Sequence, residues 1–139
     1  VPHGIERPEP SEPSGALLAL LLALYEDDVR AVVAEGGLID FQSALESPFC
    51  YVPFDAVIPG AIAVGDIPGL LLGLSKSSVR LIAPVDGQNR ATTRPMQIAT
   101  YAPSRRAFDA DTLQIDPEPP TPAALVRWLR SATLPPGQQ

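Results

Sequence analysis

The stretch VRLIAPVDG, residues 79–87, contains the clearest indication of the fold. Its first seven residues are mostly apolar and β-prone, and Asp86 and Gly87 end the run with a turn signal. This pattern predicts a buried strand over residues 79–85. An aspartate on the turn after such a strand can orient a catalytic histidine from a rigid support, so Asp86 is a candidate catalytic acid. Asp-Gly is equally a common turn signal with no catalytic meaning.

Two further strands are predicted on either side of this one in the sequence. The first begins at Val29 and ends at Ala34, where two glycines follow, and the other covers residues 112–115. Helices are predicted between and around the strands, at residues 15–26, 67–74, parts of 94–108 and 123–131, with a short helix at 41–46. Strands joined by helical crossovers imply an α/β fold with a parallel, right-handed sheet of about three strands and flanking helices.

Helix-start signals accompany these segments. We predict Ser14, Asp66 and Thr121 as N-caps of the helices that follow them, because each side chain can accept a backbone N–H of the first turn. Pro95 and Pro122 fit first-turn positions, where proline is tolerated. Pro103 is predicted to interrupt the helix within residues 94–108.

Composition limits the classes of function. The 139 residues suggest one domain, and a net charge of −6 opposes binding to nucleic acids or anionic membranes. One cysteine and one histidine make an internal disulfide and a transition-metal site improbable. Gly36-Gly37 lacks phosphate-loop spacing, so no cofactor is expected. The longest apolar run, residues 16–25, is too short to span a bilayer, and the compartment stays open.

The chain divides into three predicted parts. Residues 1–13 are rich in proline and glutamate and are expected to be a disordered arm, since proline lacks the N–H that a sheet needs. Residues 14–133 form the domain, and residues 134–139 form a flexible tail. Within the arm, His3 is a weak candidate base and Ser11 a weak candidate nucleophile. Cys50 has no basic neighbour in the sequence and is expected to be a buried or half-buried thiol.

Four motifs give the chain a resemblance to a known family: AVVAEGG at 31–37, VIPG at 57–60, GDIP at 65–68 and LIAPVD at 81–86. Together they are similar to the C-terminal portion of α/β-hydrolases of the acetyl xylan esterase and dienelactone hydrolase type, over most of residues 15–130. The resemblance implies a partial α/β-hydrolase-like three-layer sandwich. It also implies a serine carboxylesterase, in which Asp86 occupies the acid position of a Ser-His-Asp triad.

The rest of the implied triad departs from the family pattern. The nucleophile belongs in Gly-x-Ser-x-Gly before the first helix, but SEPSG at 11–15 places Pro13 on the serine position and Ser14 one place later. The histidine expected near residues 116–120 is missing. We therefore expect a relative of acetyl-ester hydrolases that is inactive as this chain, with Ser14 as a weak nucleophile candidate. The alternative is a noncatalytic α/β interaction module.

One expectation concerns partners. The strand from Val29 to Ala34 has no obvious neighbour on one side from the same chain, and an open apolar edge favours pairing. The sequence thus predicts a homodimer, or a companion chain, at this edge.

Overall fold

The computed structural model describes residues 13–134. The predicted arm and tail therefore lie outside the described residues, apart from Pro13 and Leu134. The described helices and strands, in chain order, are α1 (Pro13–Tyr25), β1 (Ala31–Glu35), α2 (Gln42–Leu45), α3 (Asp66–Gly73), β2 (Ser78–Ile82), α4 (Arg94–Arg105), β3 (Leu113–Asp116) and α5 (Pro122–Thr133). Two short 3₁₀ turns, Phe54–Ala56 and Ala61–Val64, precede α3.

The three strands form one parallel sheet in the order β1-β2-β3. Arg80 of β2 lies beside Val33 on one side and Gln114 on the other. Helix α3 connects β1 to β2, and α4 connects β2 to β3. The predicted α/β architecture, with about three parallel strands and flanking helices, is confirmed.

Helices cover both faces of the sheet. Alternate strand residues, Val32 and Ala34 of β1 with their register partners, point into a core that also contains side chains of α1, α3 and α4. We call this the α1 face. The opposite face carries Val33 and Arg80 and lies under Trp128 of α5, so we call it the α5 face. The result is a three-layer arrangement with unequal outer layers.

The central strand ends earlier than its apolar run suggests. Ala83 has a φ of +47°, a left-handed conformation that stops the ladder after Ile82. Three residues later the chain pairs again at Val85, which forms isolated bridges with Leu38 and Ala91. The predicted strand over 79–85 is therefore a five-residue strand plus a single bridge residue.

Among the predicted helix signals, Ser14 and Pro103 are wrong and Thr121 is confirmed. Helix α1 begins at Pro13, so Ser14 lies inside the first turn rather than at the N-cap. Pro103 lies within α4 without interrupting it, because it is in the last turn and Ser104 anchors that turn by donating to the Pro68 carbonyl at 2.8 Å. Thr121 caps α5 as predicted, accepting the Ala124 N–H.

Among residues 13–134, no single helix is long and apolar enough to cross a bilayer. The bent pair Phe54–Val64 and Asp66–Gly73, with an angle of 76° between its halves, is long and apolar enough to cross a bilayer by length and composition only. Ile67 and Leu71 of α3 are nevertheless buried in the core beside the sheet.

Candidate functional site

Asp86 lies on a tight turn at the carboxyl end of the sheet, the end where open α/β sheets commonly bind ligands. The turn runs from Val85 to Ala91, which are bridged to each other. The Asp86 N–H donates to the Arg90 carbonyl at 2.9 Å, and the Asn89 N–H donates to the Asp86 carbonyl at 2.8 Å. Asn89 adopts a φ of +58°, which asparagine tolerates better than most residues. Backbone hydrogen bonds therefore help close this turn.

The Asp86 carboxylate is fully engaged by the same turn. Its Oδ1 accepts the N–H groups of Gln88 at 2.9 Å and Arg90 at 3.0 Å. Its Oδ2 contacts the Arg90 guanidinium, Nε at 2.9 Å and Nη2 at 2.7 Å. A carboxylate offers about four lone-pair positions, and all four are used here. No acceptor position is left to hold a histidine.

These contacts also fix the charge of Asp86. Partial burial by itself raises the pKa of the carboxyl, but the Arg90 side chain, the Arg90 and Gln88 N–H groups and the Arg90 charge together outweigh it. The net effect lowers the pKa of Asp86 below its ordinary value of 3.8. Asp86 is thus ionised at neutral pH and acts as the anionic centre of its own turn.

Asp86→Asn is expected to reduce stability in a pH-dependent way. Because the folded pKa lies below the unfolded value of 3.8, the stabilisation is complete above that value and is lost as pH falls through the folded pKa. The variant should be less stable by about 1 kcal/mol at pH 7, since Arg90 is exposed and the pair is partly screened. Urea unfolding at pH 7, 5 and 2.5 measures the difference, which should be the same at pH 7 and 5 and smaller at pH 2.5.

The control for this measurement is Asp27→Asn, at an exposed acid after α1. It should leave the free energy of unfolding unchanged at all three pH values. A constant difference between wild type and Asp86→Asn from pH 7 to pH 2.5 would contradict an ionised, hydrogen-bonded Asp86.

Gly87 joins the turn to α2. Its N–H donates to the Ser43 Oγ at 3.0 Å, and its carbonyl accepts the Tyr51 N–H at 3.0 Å. A Cβ at this position would lie 2.2 Å from the Ala44 Cα, so the two backbones are in direct contact. The absence of a side chain at residue 87 is what allows the turn to pack on α2.

Two aspartates fix the position of α2 by hydrogen bonds. Asp40 caps it locally, since its Oδ1 accepts the Ser43 N–H at 2.8 Å. Asp66 reaches the same segment from α3, and its carboxylate accepts the N–H groups of Phe41 at 2.7 Å and Gln42 at 3.1 Å. Asp66 was predicted to cap its own helix. Its φ of +59° instead directs the carboxylate mainly to α2, although it also accepts the Ile67 N–H at 2.6 Å.

A small apolar cavity lies beneath the first turn of α1. Pro13, Ala34, Pro84 and Tyr101 are among its lining residues, and its volume is about 20 Å³. Burial raises the pKa of Tyr101, as do the charges of Asp40 and Asp66, so its hydroxyl stays protonated at neutral pH. A cavity of this size holds about one water molecule and is too small for an ester substrate.

The other candidates do not assemble around Asp86. Ser14 is half-buried in the first turn of α1, and residues 13–134 contain no histidine that could activate it. His3 and Ser11 lie outside the described residues. Cys50 was expected to be buried or half-buried, but it is exposed because it lies in the irregular segment after α2, with its Sγ 3.7 Å from the Val52 carbonyl. Within the described part of the chain, no three His, Cys, Asp or Glu side chains cluster as metal ligands would.

Some of this site could have been found from the sequence, and some could not. An aspartate followed four positions later by an arginine, across Gly-Gln-Asn, is typical of a self-contained ion-paired turn. The roles of Ser43 and Asp66 have no such local signal, because their partners are 44 and 24–25 positions away.

Comparison of the chain with protein-family models, with curated proteins and with solved structures found no match. The resemblance to α/β-hydrolases therefore depends on the four sequence motifs alone, and the activity it implies enters below as a proposal.

Proposed function

We propose that this chain is a noncatalytic α/β module that acts by binding another polypeptide. The observation that carries the proposal is the saturated carboxylate of Asp86. A triad aspartate must accept the Nδ1–H of a histidine, and here Arg90 and two backbone N–H groups occupy the positions such a bond would need. In this proposal, Asp86 shapes a turn and does not serve a reaction.

Exposed apolar surface supports the binding part of the proposal. Leu18, Leu22 and Tyr25 lie at helical spacing on the outside of α1 and are 58–80 % exposed. Phe49 and Phe54, in the segment before α3, are 65 % and 93 % exposed. A contiguous patch of exposed apolar side chains marks a surface that another protein can cover, and Leu18, Leu22 and Tyr25 line one side of α1.

The second candidate function is that of a serine carboxylesterase related to acetyl-ester hydrolases. One geometric observation favours it. Pro13, the neighbour of Ser14, lines the small cavity together with Pro84, two residues before Asp86. The chain neighbours of both candidate residues thus lie near each other, on the side of the sheet where the nucleophile and the acid of such enzymes lie.

A reactive-serine probe separates the two functions. We expect a folded sample to show no labelling by a fluorophosphonate and no hydrolysis of 4-nitrophenyl acetate above the buffer rate. Ser14→Ala and Asp86→Asn should then behave like wild type in both assays, and circular dichroism verifies that every sample is folded. Labelling at Ser14, with turnover lost in both variants but kept in Asp27→Asn, would establish the esterase and overturn the noncatalytic module.

A further inference from the structure

Helix α1 presents apolar residues on two opposite faces. Four of its buried residues span an arc of about 120° that faces the sheet: Ala16, Leu17, Leu20 and Ala23. Four exposed residues span about 80° on the opposite side, where they face solvent: Gly15, Leu18, Leu22 and Tyr25. We call this exposed set the α1 seam. Its three side chains are 58–80 % exposed.

The spacing of the α1 seam is that of a helix-pairing surface. Its members follow one another at intervals of three, four and three residues, the a/d spacing at which one helix packs against another. Gly15 adds no side chain, and a Cβ there would meet nothing within 4 Å, so another backbone can approach closely at this end. Strands do not repeat at this period. The α1 seam therefore fits a helix as its occupant.

The composition of α1 indicates that something covers the seam. Residues 13–25, PSGALLALLLALY, include no charged side chain. The outer face of a surface helix normally carries charged and polar residues, whereas a helix that is apolar all round is normally buried. The described elements leave each of the three seam side chains more than half exposed. The cover that this composition implies must therefore come from outside residues 13–134.

Charge narrows the choice of occupant. Glu26, Asp27 and Asp28 directly follow α1, are exposed, and lie at the negative end of its dipole. The last turn of α1 has no basic residue, and neither ion pair within residues 13–134 includes one of these three acids. Carboxylates at this end of a helix are repelled by its dipole and by one another. A basic group beside them relieves both repulsions, so the C-terminal end of the α1 seam favours a cationic partner.

A second copy of α1 does not bring such a group. In a parallel pair, the two sets of acids would lie side by side. In an antiparallel pair, they would lie beside the first turn of the other α1, where residues 13–16 carry no charge. Residues 1–12 carry three glutamates and one arginine, so they too add negative charge. Charge complementarity therefore favours a partner that is itself basic.

We propose that the α1 seam binds an amphipathic helix of a partner protein, with leucine-like side chains at a/d spacing over about two heptads. The partner helix runs antiparallel to α1, because its positive N-terminal end then lies beside residues 26–28. Lysine or arginine in its first turn completes the match to the three acids. This inference rests on the proposed function as a module that binds another polypeptide.

Two synthetic peptides test the proposal. Acetyl-KKALAQLQAALAQLQA-amide has leucines at the spacing of the α1 seam and lysines in its first turn, and the second peptide replaces both lysines with glutamates. Fluorescence anisotropy should show that the full chain binds the lysine peptide about tenfold more tightly than the glutamate peptide. Sodium chloride at about 0.5 M should remove most of this difference. A nitroxide at the N-terminus of the lysine peptide should broaden the amide signals of residues 25–28 and leave those of residues 14–16 unchanged.

The contribution of charge is measured by neutralising the three acids. The triple variant Glu26→Gln, Asp27→Asn, Asp28→Asn should bind the two peptides equally, because the carboxylates that distinguish them are gone. A matched control neutralises three exposed acids elsewhere on the surface and should keep the preference for the lysine peptide: Glu46→Gln, Asp55→Asn and Glu118→Gln.

The contribution of apolar contact is measured at Leu22. Leu22→Ala should weaken binding of the lysine peptide by about fivefold, because the truncated side chain buries less apolar area against the partner. Ile98→Ala truncates a comparably exposed side chain on α4 and should bind like wild type. Circular dichroism verifies that every variant is folded.

The free protein shows whether the α1 seam is open. The methyl signals of Leu18 and Leu22 should be broadened by a soluble gadolinium agent. Protection of these methyl groups at every protein concentration would show that the chain covers its own seam, and protection that grows with concentration would show that a second copy does. Either result overturns the partner helix. So do equal binding of the two peptides by wild type, an affinity that Leu22→Ala leaves unchanged, and broadening at residues 14–16 instead of 25–28.

The outcome for the partner helix is separable from the outcome for the proposed function. Esterase activity in a sample that binds the lysine peptide at α1 would overturn only the noncatalytic part of the proposed function. A folded, inactive sample that binds neither peptide would overturn only the partner helix.

Discussion

Gly87→Ala is expected to lower the free energy of unfolding by about 3 kcal/mol. The new Cβ would lie 2.2 Å from the Ala44 Cα and 2.5 Å from the Ser43 carbonyl oxygen. Both are backbone atoms, so no side-chain rotation relieves the clash, and the turn must move away from α2. That movement also breaks the buried bond from the Gly87 N–H to the Ser43 Oγ. Urea unfolding followed by circular dichroism measures the loss.

Gly15→Ala is the matched control, since a Cβ at Gly15 in α1 meets nothing within 4 Å. Alanine is the better helix former, so this variant should be more stable than wild type by about 0.5–1 kcal/mol. The same change from glycine to alanine is thus expected to lower the free energy of unfolding at residue 87 and to raise it at residue 15. A Gly87→Ala protein within 1 kcal/mol of wild type would contradict the contact between the turn and α2.

The architecture could be predicted because its signals are local. Each strand is a short apolar run ended by glycine, aspartate or a loop, and each long helix carries a proline or a cap at its start. Alternating strands and helices then leave few topologies, because parallel crossovers are nearly always right-handed. The strand boundaries moved by only one to three residues, and the largest change, at the end of β2, follows from the left-handed Ala83.

The candidate site was harder to predict because its bonds are not local. The sequence places Asp86 directly after a strand, whereas in the structure it lies four residues beyond the end of β2 and its carboxylate is bonded to its own turn. Nothing near Asp86 in the sequence shows that α2 packs beneath Gly87. Nor does the sequence around Asp66 show that its carboxylate reaches Phe41, 25 positions away. Such contacts depend on how the segments between strands pack, and periodicity carries no information about that.

Pro103 illustrates a different failure. The rule that proline breaks a helix applies where further turns must continue past it. Here α4 ends two residues later at Arg105, and the buried Ser104 fixes the last turn to α3. The tertiary contact from Ser104 to the Pro68 carbonyl thus overrides the local effect of the proline.

Removing Asp116 is expected to have the second large effect on stability. Arg80 lies on the α5 face with 9 % of its side chain exposed, and its Nε is 2.6 Å from the Asp116 Oδ2. The Arg80 guanidinium carbon also lies 5.6 Å from the centre of the Trp128 ring. Asp116→Leu leaves this charge buried without its counter-ion. We expect a loss of about 2–3 kcal/mol, below the usual cost for a fully buried pair because Asp116 is 29 % exposed.

A double-mutant cycle shows whether the loss comes from the unpaired charge. Arg80→Met keeps much of the side-chain length and its apolar stem but removes the charge. The double variant, Arg80→Met with Asp116→Leu, should recover to within about 1 kcal/mol of wild type, because apolar side chains can replace a buried ion pair at little cost. Losses in the two single variants that simply add in the double variant would contradict a coupled pair. They would indicate that α5 is held to the sheet by Trp128 and its apolar neighbours alone.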